Sequence, residues 1–238
     1  MSLVDDTHHR TARDGFKDQV RSLLCARPGL RVLELGGGCW PMFSLDELPE
    51  TVASYTLNDI DPGLLAKVPA GYETACFDVT GDLRGFAGRF DVVFSQFLAE
   101  HVRDGYRFHR NVHDLLAPGG TAIHLNPTLF APPFVINKLM PERATQAIVN
   151  TFRRERIRRG YPKFPAHYSY CWANEEKMRR RLRTIGFEKV SVQPFYGHPY
   201  YDNLPGLRQV GERIARLCAR HDLRLFASYA YVRTWKAQ

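Results

Sequence analysis

The 238-residue chain has no apolar run of the about 20 residues that a membrane-spanning helix needs. Its polar N-terminus lacks the apolar core of a signal peptide, and the chain contains no internal repeat or low-complexity tract. The five cysteines are odd in number and scattered, without a CxxC pair, which argues against a disulfide framework or a zinc site. We therefore expect a cytoplasmic protein with free thiols and no bound metal.

The composition is that of a folded globular protein, with 44% hydrophobic and 24% charged residues. The formal charge of +8 is unevenly distributed, because the basic excess follows Pro127 and concentrates in residues 153–159 and 179–183. Such an excess suits nucleic acid, an anionic membrane surface or an acidic substrate, but solvated helix faces produce it equally well.

Strand and helix patterns alternate along the chain after a helical N-terminal segment over residues 7–27. We predict seven strands, over residues 31–35, 53–57, 74–77, 90–95, 120–126, 188–195 and 223–232. Helices are predicted from Pro41 onward and over residues 62–67, 105–116 and 174–185. This alternation predicts an α/β fold with a parallel sheet covered by helices.

Two stretches interrupt the alternation. Residues 127–173 and 196–222 are longer than ordinary connections, and such insertions usually carry specificity on a rigid scaffold. We expect a single domain over residues 1–238, with an N-terminal helical segment (1–29), a ligand-binding core (30–126) and the two insertions forming a lid over the substrate.

A glycine-rich turn follows the first predicted strand. The strand ends at Leu35, three glycines follow, and Pro41 stands where a helix could begin. Glycines at such a turn remove the Cβ atoms that would keep a ligand away from the backbone N–H groups. They are Gly36, Gly37 and Gly38.

Three acidic residues map to the ends of predicted strands, where open α/β sheets bind ligands. Glu34 precedes the glycines, Asp59 follows the second strand, and Asp78 ends the third. The position of Asp59, roughly two dozen residues after Gly36, suits a carboxylate that accepts two ribose hydroxyls. Asp78 could accept the amino group of an adenine.

The order of five segments resembles that of the class I S-adenosylmethionine-dependent methyltransferases: VLELGGG, LNDIDP, FDV, FDVVFSQFLAEHV and LLAPGG. The resemblance covers roughly half of the chain, and it implies a Rossmann-like, doubly wound, mostly parallel seven-stranded sheet that binds S-adenosyl-L-methionine. Position by position, the resemblance implies that Glu34, Gly36, Gly37 and Gly38 form the loop that binds the methionine part. It implies that Asp59 binds the ribose and that Ile60 packs on the adenine. It further implies that Asp78 and Val79 contact the adenine edge and that Ser95 and Gln96 lie beneath the sulfonium.

One departure from the family pattern lies in the glycine turn. The family often has a further glycine where this chain has Trp40, so we expect the turn to be crowded there. A dinucleotide-binding alternative fits less well, because the GxGxxG pattern would end on Pro41.

Methyl transfer to an alcohol needs a base, and the insertions supply two candidates, His167 and His198. The alternative is that both rings only pack within the lid. Of the other polar residues, we expect Asp91 to be structural, Asp61 to cap a helix and His101 to pack or to form hydrogen bonds. His109 and His113 have the spacing of metal ligands, but no third ligand is evident, so we expect both at the surface.

We predict methylation of a small molecule, with a hydroxyl of a glycan, lipid-linked or secondary-metabolite acceptor as the target. Residues 129–140 are apolar and a basic segment follows, which suits peripheral contact with an anionic membrane, or else an ordinary lid. Nucleic acid is disfavoured, because residues 95–98 read Ser-Gln-Phe-Leu where enzymes that methylate its amino groups have Asn/Asp-Pro-Pro-Tyr/Phe. A non-catalytic protein that binds the cofactor is a further alternative, and the sequence leaves the oligomeric state open.

Overall fold

A computed structural model describes residues 8–128, 165–198 and 207–238. Its centre is a seven-stranded sheet with the strand order β3-β2-β1-β4-β5-β7-β6. All strands are parallel except β7, which runs antiparallel to both of its neighbours. The strands are β1 (Leu30–Leu35), β2 (Val52–Asp59), β3 (Glu73–Cys76), β4 (Phe90–Gln96), β5 (Leu116–Pro127), β6 (Phe187–Phe195) and β7 (Tyr229–Lys236). The predicted mostly parallel sheet is confirmed.

Helices cover both faces of the sheet. They are α1 (His9–Asp14), α2 (Phe16–Leu24), α3 (Pro62–Leu65), α4 (Gly105–Leu115), α5 (Glu175–Arg183) and α6 (Leu207–Arg220). The N-terminal segment predicted as one helix is thus divided into two at Gly15.

Each face of the sheet has its own apolar core. Phe16 and Val20 of α2 pack on one face with Phe94, whereas Phe108 of α4 and Leu182 of α5 belong to the core on the other face. Every residue of β4 from Phe90 to Ser95 is buried, as expected for a central strand covered on both sides. This strand therefore forms the rigid centre against which the site is built.

Two predicted structural roles are confirmed. Asp91 is buried in β4 and accepts hydrogen bonds from the side chains of Arg27 and Arg31, with Arg31 Nε 2.9 Å from Asp91 Oδ2. Asp61 caps α3, because its Oδ1 accepts the backbone N–H of Gly63 at 2.7 Å.

The helix predicted from Pro41 is wrong. Between β1 and β2, all of which is described, the chain forms only a short 3₁₀ helix, Leu45–Glu47. The side chain of Phe43 is fully buried, and the backbone N–H of Met42 donates to the carboxylate of Glu34. These two contacts hold residues 42 and 43 against the core in place of the predicted helix. Pro49 then stops any extension of the 3₁₀ helix.

The last strand begins later than predicted. The sequence predicts a strand over residues 223–232, but Arg224–Phe226 form a 3₁₀ helix and β7 starts at Tyr229. The apolar residues that suggested an earlier start, Leu225 and Phe226, are 57% and 43% exposed. They belong to this 3₁₀ helix, which follows α6 after a turn, and are not part of the sheet.

Candidate functional site

The site lies where the strand order reverses, beyond the carboxyl ends of β1 and β4. These two strands are parallel neighbours in the middle of the sheet, and β2 pairs with the other side of β1. The chain leaves β1 toward β2 on one side and leaves β4 toward β5 on the other, which opens a crevice between the two connections.

The glycine turn after β1 is a bare stretch of backbone. Gly36 and Gly38 have φ angles of +71° and +58°, a region that residues with a Cβ rarely adopt. A Cβ at Gly36 would lie 3.0 Å from the side chain of Leu98, which follows β4. The turn is fixed by two backbone hydrogen bonds, from Gly37 N to Asn58 O and from Trp40 N to Gly37 O, both 3.1 Å. The missing side chain of Gly36 thus leaves room for Leu98, and the exposed backbone of Gly36 is the part of the turn that a ligand can approach.

Glu34 anchors the segment that follows this turn. Its carboxylate is buried and accepts hydrogen bonds from the Tyr55 hydroxyl and from the backbone N–H of Met42. Burial raises the pKa of Glu34 to about 7, although both hydrogen bonds act in the opposite direction. The described contacts of Glu34 thus anchor the segment after the glycines, and its direct contact with a ligand stays a prediction.

Asp59, the last residue of β2, faces the glycine turn. Its Oδ2 lies 3.6 Å from the position of a Cβ built on Gly38. Its other oxygen, Oδ1, accepts the backbone N–H of Asp61 at 2.9 Å, which fixes the orientation of the carboxylate. Ile60 next to it is 59% exposed. The structure thus brings together the predicted ribose ligand, its apolar neighbour and the glycines.

Asp78 and Val79 follow β3 and differ in orientation. The carboxylate of Asp78 is exposed, and its Oδ1 accepts the N–H and the hydroxyl of Thr80, both at 2.8 Å. The side chain of Val79 points into the core, and its carbonyl accepts Asn111 Nδ2 at 2.7 Å. Only Asp78 presents a side chain at the surface, so a contact of Val79 with an adenine would have to use its backbone.

At the end of β4, Ser95 and Gln96 also diverge. The Ser95 side chain is fully buried, and its hydroxyl lies 2.8 Å from His124 Nδ1 inside the protein. Gln96 is half-buried at the edge of the sheet. The side chain of Ser95 therefore faces the core, and only its backbone could lie beneath the sulfonium as predicted.

Phe97 is a site residue that the sequence analysis missed. It directly follows β4 and has a φ of +56°, a strained conformation for an aromatic residue and one that is concentrated at functional sites. Its ring lies 5.9 Å from that of Tyr229, and the guanidinium of Arg13 lies 6.0 Å from its centroid. No feature of the local sequence distinguishes Phe97, whose N–H donates to Leu125 O on the neighbouring strand.

The two predicted catalytic histidines both lie at this edge of the sheet. His198 is buried against Tyr229, with ring centroids 5.8 Å apart and Nε2 3.3 Å from the tyrosine hydroxyl. Tyr229 begins β7 opposite Phe195, the last residue of β6. His167 is exposed, and its N–H donates to Glu100 O at 2.7 Å, just beyond β4. Their roles as bases stay predictions.

Two other expectations for histidines have different outcomes. His101 forms the expected hydrogen bond, with Nδ1 2.9 Å from Pro165 O. The surface position expected for His109 is wrong, because its side chain is buried with its ring 5.8 Å from that of His124. The residues between 8 and 128, 165 and 198, and 207 and 238 contain no group of three side chains suited to a metal ion.

Trp40 does not fill the turn as expected. Its side chain is 56% exposed and lies beside Gly38, with Cε3 3.7 Å from the position of a Cβ there. The ring therefore borders the crevice next to Asp59, where it adds apolar surface. Of the predicted lid, residues 127–173 fall largely outside the described residues, whereas 196–222 is described at 196–198 and 207–222, which include α6. The role of both insertions as a lid stays a prediction.

Comparison with known proteins agrees with this geometry. A family model described as a methyltransferase domain matches residues 7–192. No curated protein matches the chain. Similar solved structures include phosphoethanolamine N-methyltransferase 2 of Haemonchus contortus in complex with S-adenosyl-L-methionine, which is 13% identical with a TM-score of 0.58. The match covers 94% of this chain and 53% of that one, so the chain spans about half the length of the Haemonchus enzyme.

Two further similar structures match over nearly their whole length. A S-adenosylmethionine-dependent methyltransferase from Archaeoglobus fulgidus is 16% identical, with a TM-score of 0.56 and coverage of 94% of both chains. One from Mesorhizobium loti is 19% identical, with a TM-score of 0.55 and coverage of 94% of this chain and 99% of that chain. At these identities, the structural matches show a shared fold.

Proposed function

Because this chain belongs to the class I S-adenosylmethionine-dependent methyltransferases, we propose that it is an enzyme that methylates a small-molecule acceptor. The acceptor group that we propose is a hydroxyl of a glycan, a lipid-linked compound or a secondary metabolite. The observation that carries the proposal is the position of Asp59, whose carboxylate faces the bare backbone turn at Gly38 where the strand order reverses.

The residues present at this edge fit the cofactor. The glycine turn offers backbone to the methionine part without a Cβ in the way, and the carboxylate of Asp59 suits ribose hydroxyls. Exposed Ile60 offers an apolar surface to the adenine, and the exposed carboxylate of Asp78 suits its amino group. When bound, S-adenosylmethionine supplies a methyl group that is already activated by the sulfonium charge.

The protein then has to orient the acceptor, exclude water and accept one proton. Orientation of two reactants is worth several kcal/mol in favourable cases, about 7–11 kcal/mol at the upper end. An alcohol must lose a proton of high pKa during the reaction, which calls for a base within hydrogen-bond reach. His198, held against Tyr229 beside Phe97, and His167, attached to Glu100 O, are the candidates that we propose.

The cofactor proposal is tested by calorimetry with S-adenosylmethionine and its demethylated product. We expect Asp59→Asn to weaken both affinities by about tenfold to a hundredfold, because a neutral amide is a poorer acceptor for two ribose hydroxyls. Asp61→Asn is the matched control, since it changes the same residue type two positions later, where the side chain caps α3. Equal affinities of the two variants would remove Asp59 from the site.

The acceptor class is tested with S-adenosylmethionine labelled on its methyl group. The full-length chain is incubated separately with a water-soluble small-molecule extract, a lipid extract and RNA, and the incorporated label is counted. We expect incorporation into a small-molecule or lipid product that resists alkali, as a methyl ether does. Incorporation into RNA alone would contradict the proposal, and cofactor binding without incorporation in any fraction would favour a non-catalytic role.

The roles of the two histidines are tested once an acceptor is known. Replacement of the catalytic base by glutamine should lower kcat by about a hundredfold or more and abolish the acidic limb of its pH profile. Replacement of the histidine that is not the base should leave the acidic limb of the pH profile in place. If both variants keep the wild-type profile, neither histidine is the base, and both only pack at the edge of the sheet.

A further inference from the structure

Helix α6 has a wide apolar face, one side of which the protein does not cover. Ala215 and Cys218 are buried against the domain. Val210, Ile214 and Leu217 are instead 51%, 50% and 54% exposed. Their spacing of four and three residues places all three on one side of the helix. A surface helix normally has polar side chains beside its buried stripe, so exposed apolar side chains there need an explanation.

Arginines border this stripe. At about 100° per residue, Arg213 projects beside Val210 and Leu217, and Arg220 projects beside Leu217, both on the side away from the buried face. Both arginines are exposed, and neither forms an ion pair within the described part of the chain. Arg208 and Arg216, by contrast, each form an ion pair with Glu212, at distances within 4 Å. The stripe is thus flanked by positive charge that the helix itself does not neutralise.

Two more apolar side chains are exposed after the helix. The following 3₁₀ helix, Arg224–Phe226, exposes Leu225 and Phe226. The connection that contains α6 starts after Phe195 and ends at Tyr229, which are paired at the carboxyl edge of the sheet. The exposed stripe therefore lies on the β6–β7 side of the molecule, whereas Asp59 lies on β2, near the opposite end of the strand order.

We propose that this stripe and its arginines bind an anionic phospholipid surface. We call Val210, Arg213, Ile214, Leu217 and Arg220 the α6 patch. Its apolar side chains would enter the interfacial region of a bilayer while the two arginines pair with lipid phosphates, which is how basic amphipathic helices bind membranes. The proposed contact is peripheral. Among the described residues, no helix is long and apolar enough to cross a bilayer.

A second copy of the chain is the less suitable occupant. A stable protein interface buries about 800 Å² on each partner, and a row of three half-exposed side chains offers far less apolar area. Two copies joined through the α6 patch would also bring their arginines together, which like charges oppose. An anionic surface complements the same arginines.

The test is flotation of the full-length chain with phosphatidylcholine vesicles that contain or lack phosphatidylglycerol. We expect the protein to float only with the anionic vesicles, and less at high salt. The double variant Ile214→Gln and Leu217→Gln should lower the partition coefficient by about tenfold or more, because both apolar insertions are lost. The double variant Arg213→Gln and Arg220→Gln should lower it by about fivefold per arginine.

The matched control is Arg107→Gln with Arg110→Gln, which removes the same charge from exposed positions of α4. It should float like the wild type, and thermal melts should show all variants folded, since every substituted side chain is exposed. The proposal is overturned if the wild type does not float or if the α6 variants float as well as the control. It is equally overturned if sedimentation shows a dimer that the Ile214 and Leu217 substitutions dissociate.

Discussion

At the scale of single residues, Glu34 couples the glycine turn to pH. Burial raises the pKa of this carboxyl from 4.5 to about 7, so the native protein holds a proton that the unfolded chain has already released. The contribution of Glu34 to the free energy of unfolding therefore decreases as the pH rises from 4.5 to about 7, and this contribution is constant at higher pH.

This gives a prediction for Glu34→Gln, whose side chain cannot ionise. Between about pH 5 and pH 8 the wild type should lose up to about 3 kcal/mol of stability relative to the variant, at 1.36 kcal/mol per pKa unit. Urea denaturation at a series of pH values measures the difference. Parallel pH profiles of the two proteins would show that the carboxyl is not protonated near neutral pH.

Gly38 offers a second test at the residue scale. Gly38→Ala places a Cβ at a φ of +58°, which costs about 1 kcal/mol of stability, and directs it toward Asp59 Oδ2 at 3.6 Å. We expect the affinity for S-adenosylmethionine to fall by about tenfold or more, as calorimetry would measure. Gly29→Ala is the control, because Gly29 has a φ of +76° with no atom within 4 Å of its Cβ position. It should lose similar stability and keep the affinity.

At the scale of elements, the strands were predictable because their signals are local. Val92 and Val93 lie in a continuous apolar run, and β4 is buried on both faces as such runs predict. The helix expected after Gly38 failed for a tertiary reason, since Phe43 is drawn into the core beside Tyr55 and Phe94. The segment is thus shaped by contacts with β2 and β4, which no local pattern records.

The segment after residue 164 is attached to the sheet edge through the first turn of α4. Ser169 Oγ accepts the N–H of Gly105 at 3.0 Å, and a Cβ on Gly105 would lie only 2.6 Å from Ser169 O. The N–H groups of His167 and Tyr168 both donate to Glu100 O. The position of His167 therefore depends on the absence of a side chain at residue 105.

Gly105→Ala is informative because two effects have opposite signs. In an unconstrained helix, replacing glycine by alanine stabilises by about 1 kcal/mol. Here we expect a net loss of about 1–3 kcal/mol, because backbone atoms of residue 169 must move. Chemical denaturation measures the stability, and hydrogen exchange of residues 165–171 should accelerate. A more stable variant with unchanged exchange would show that this segment is not packed on α4.

At the scale of the whole molecule, the sequence predicted that Asp59 and the glycine turn lie together but did not predict the contact of Phe97 with Tyr229. Asp59 and Gly38 meet because Asp59 ends β2 and Gly38 follows β1, its parallel neighbour, and this follows from strand order alone. The contact of Phe97 with Tyr229 requires β7 to insert antiparallel between β5 and β6. That pairing joins residues far apart in the chain, so single-sequence patterns do not reveal it.

Two buried histidines should govern the acid stability of the whole fold. Burial lowers the pKa of His109 from 6.5 to about 3, and burial, together with His109, lowers the pKa of His124 well below 6.5. Below about pH 6.5 the unfolded chain takes up protons that the native protein does not, so the free energy of unfolding falls as the pH falls. On this account His109 removes about 2 kcal/mol by pH 5, and His124 acts in the same direction.

His109→Phe keeps a ring beside Phe108, His124 and Tyr170 but removes one of the two proton-binding groups. Between about pH 7 and pH 5 the variant should lose about 2 kcal/mol less stability than the wild type, measured by urea denaturation. The contribution of Glu34 is present in both proteins and cancels from the difference. His221→Gln, which replaces an exposed histidine, is the control variant. An unchanged slope in His109→Phe would mean that His109 is protonated in the native protein and reachable by water.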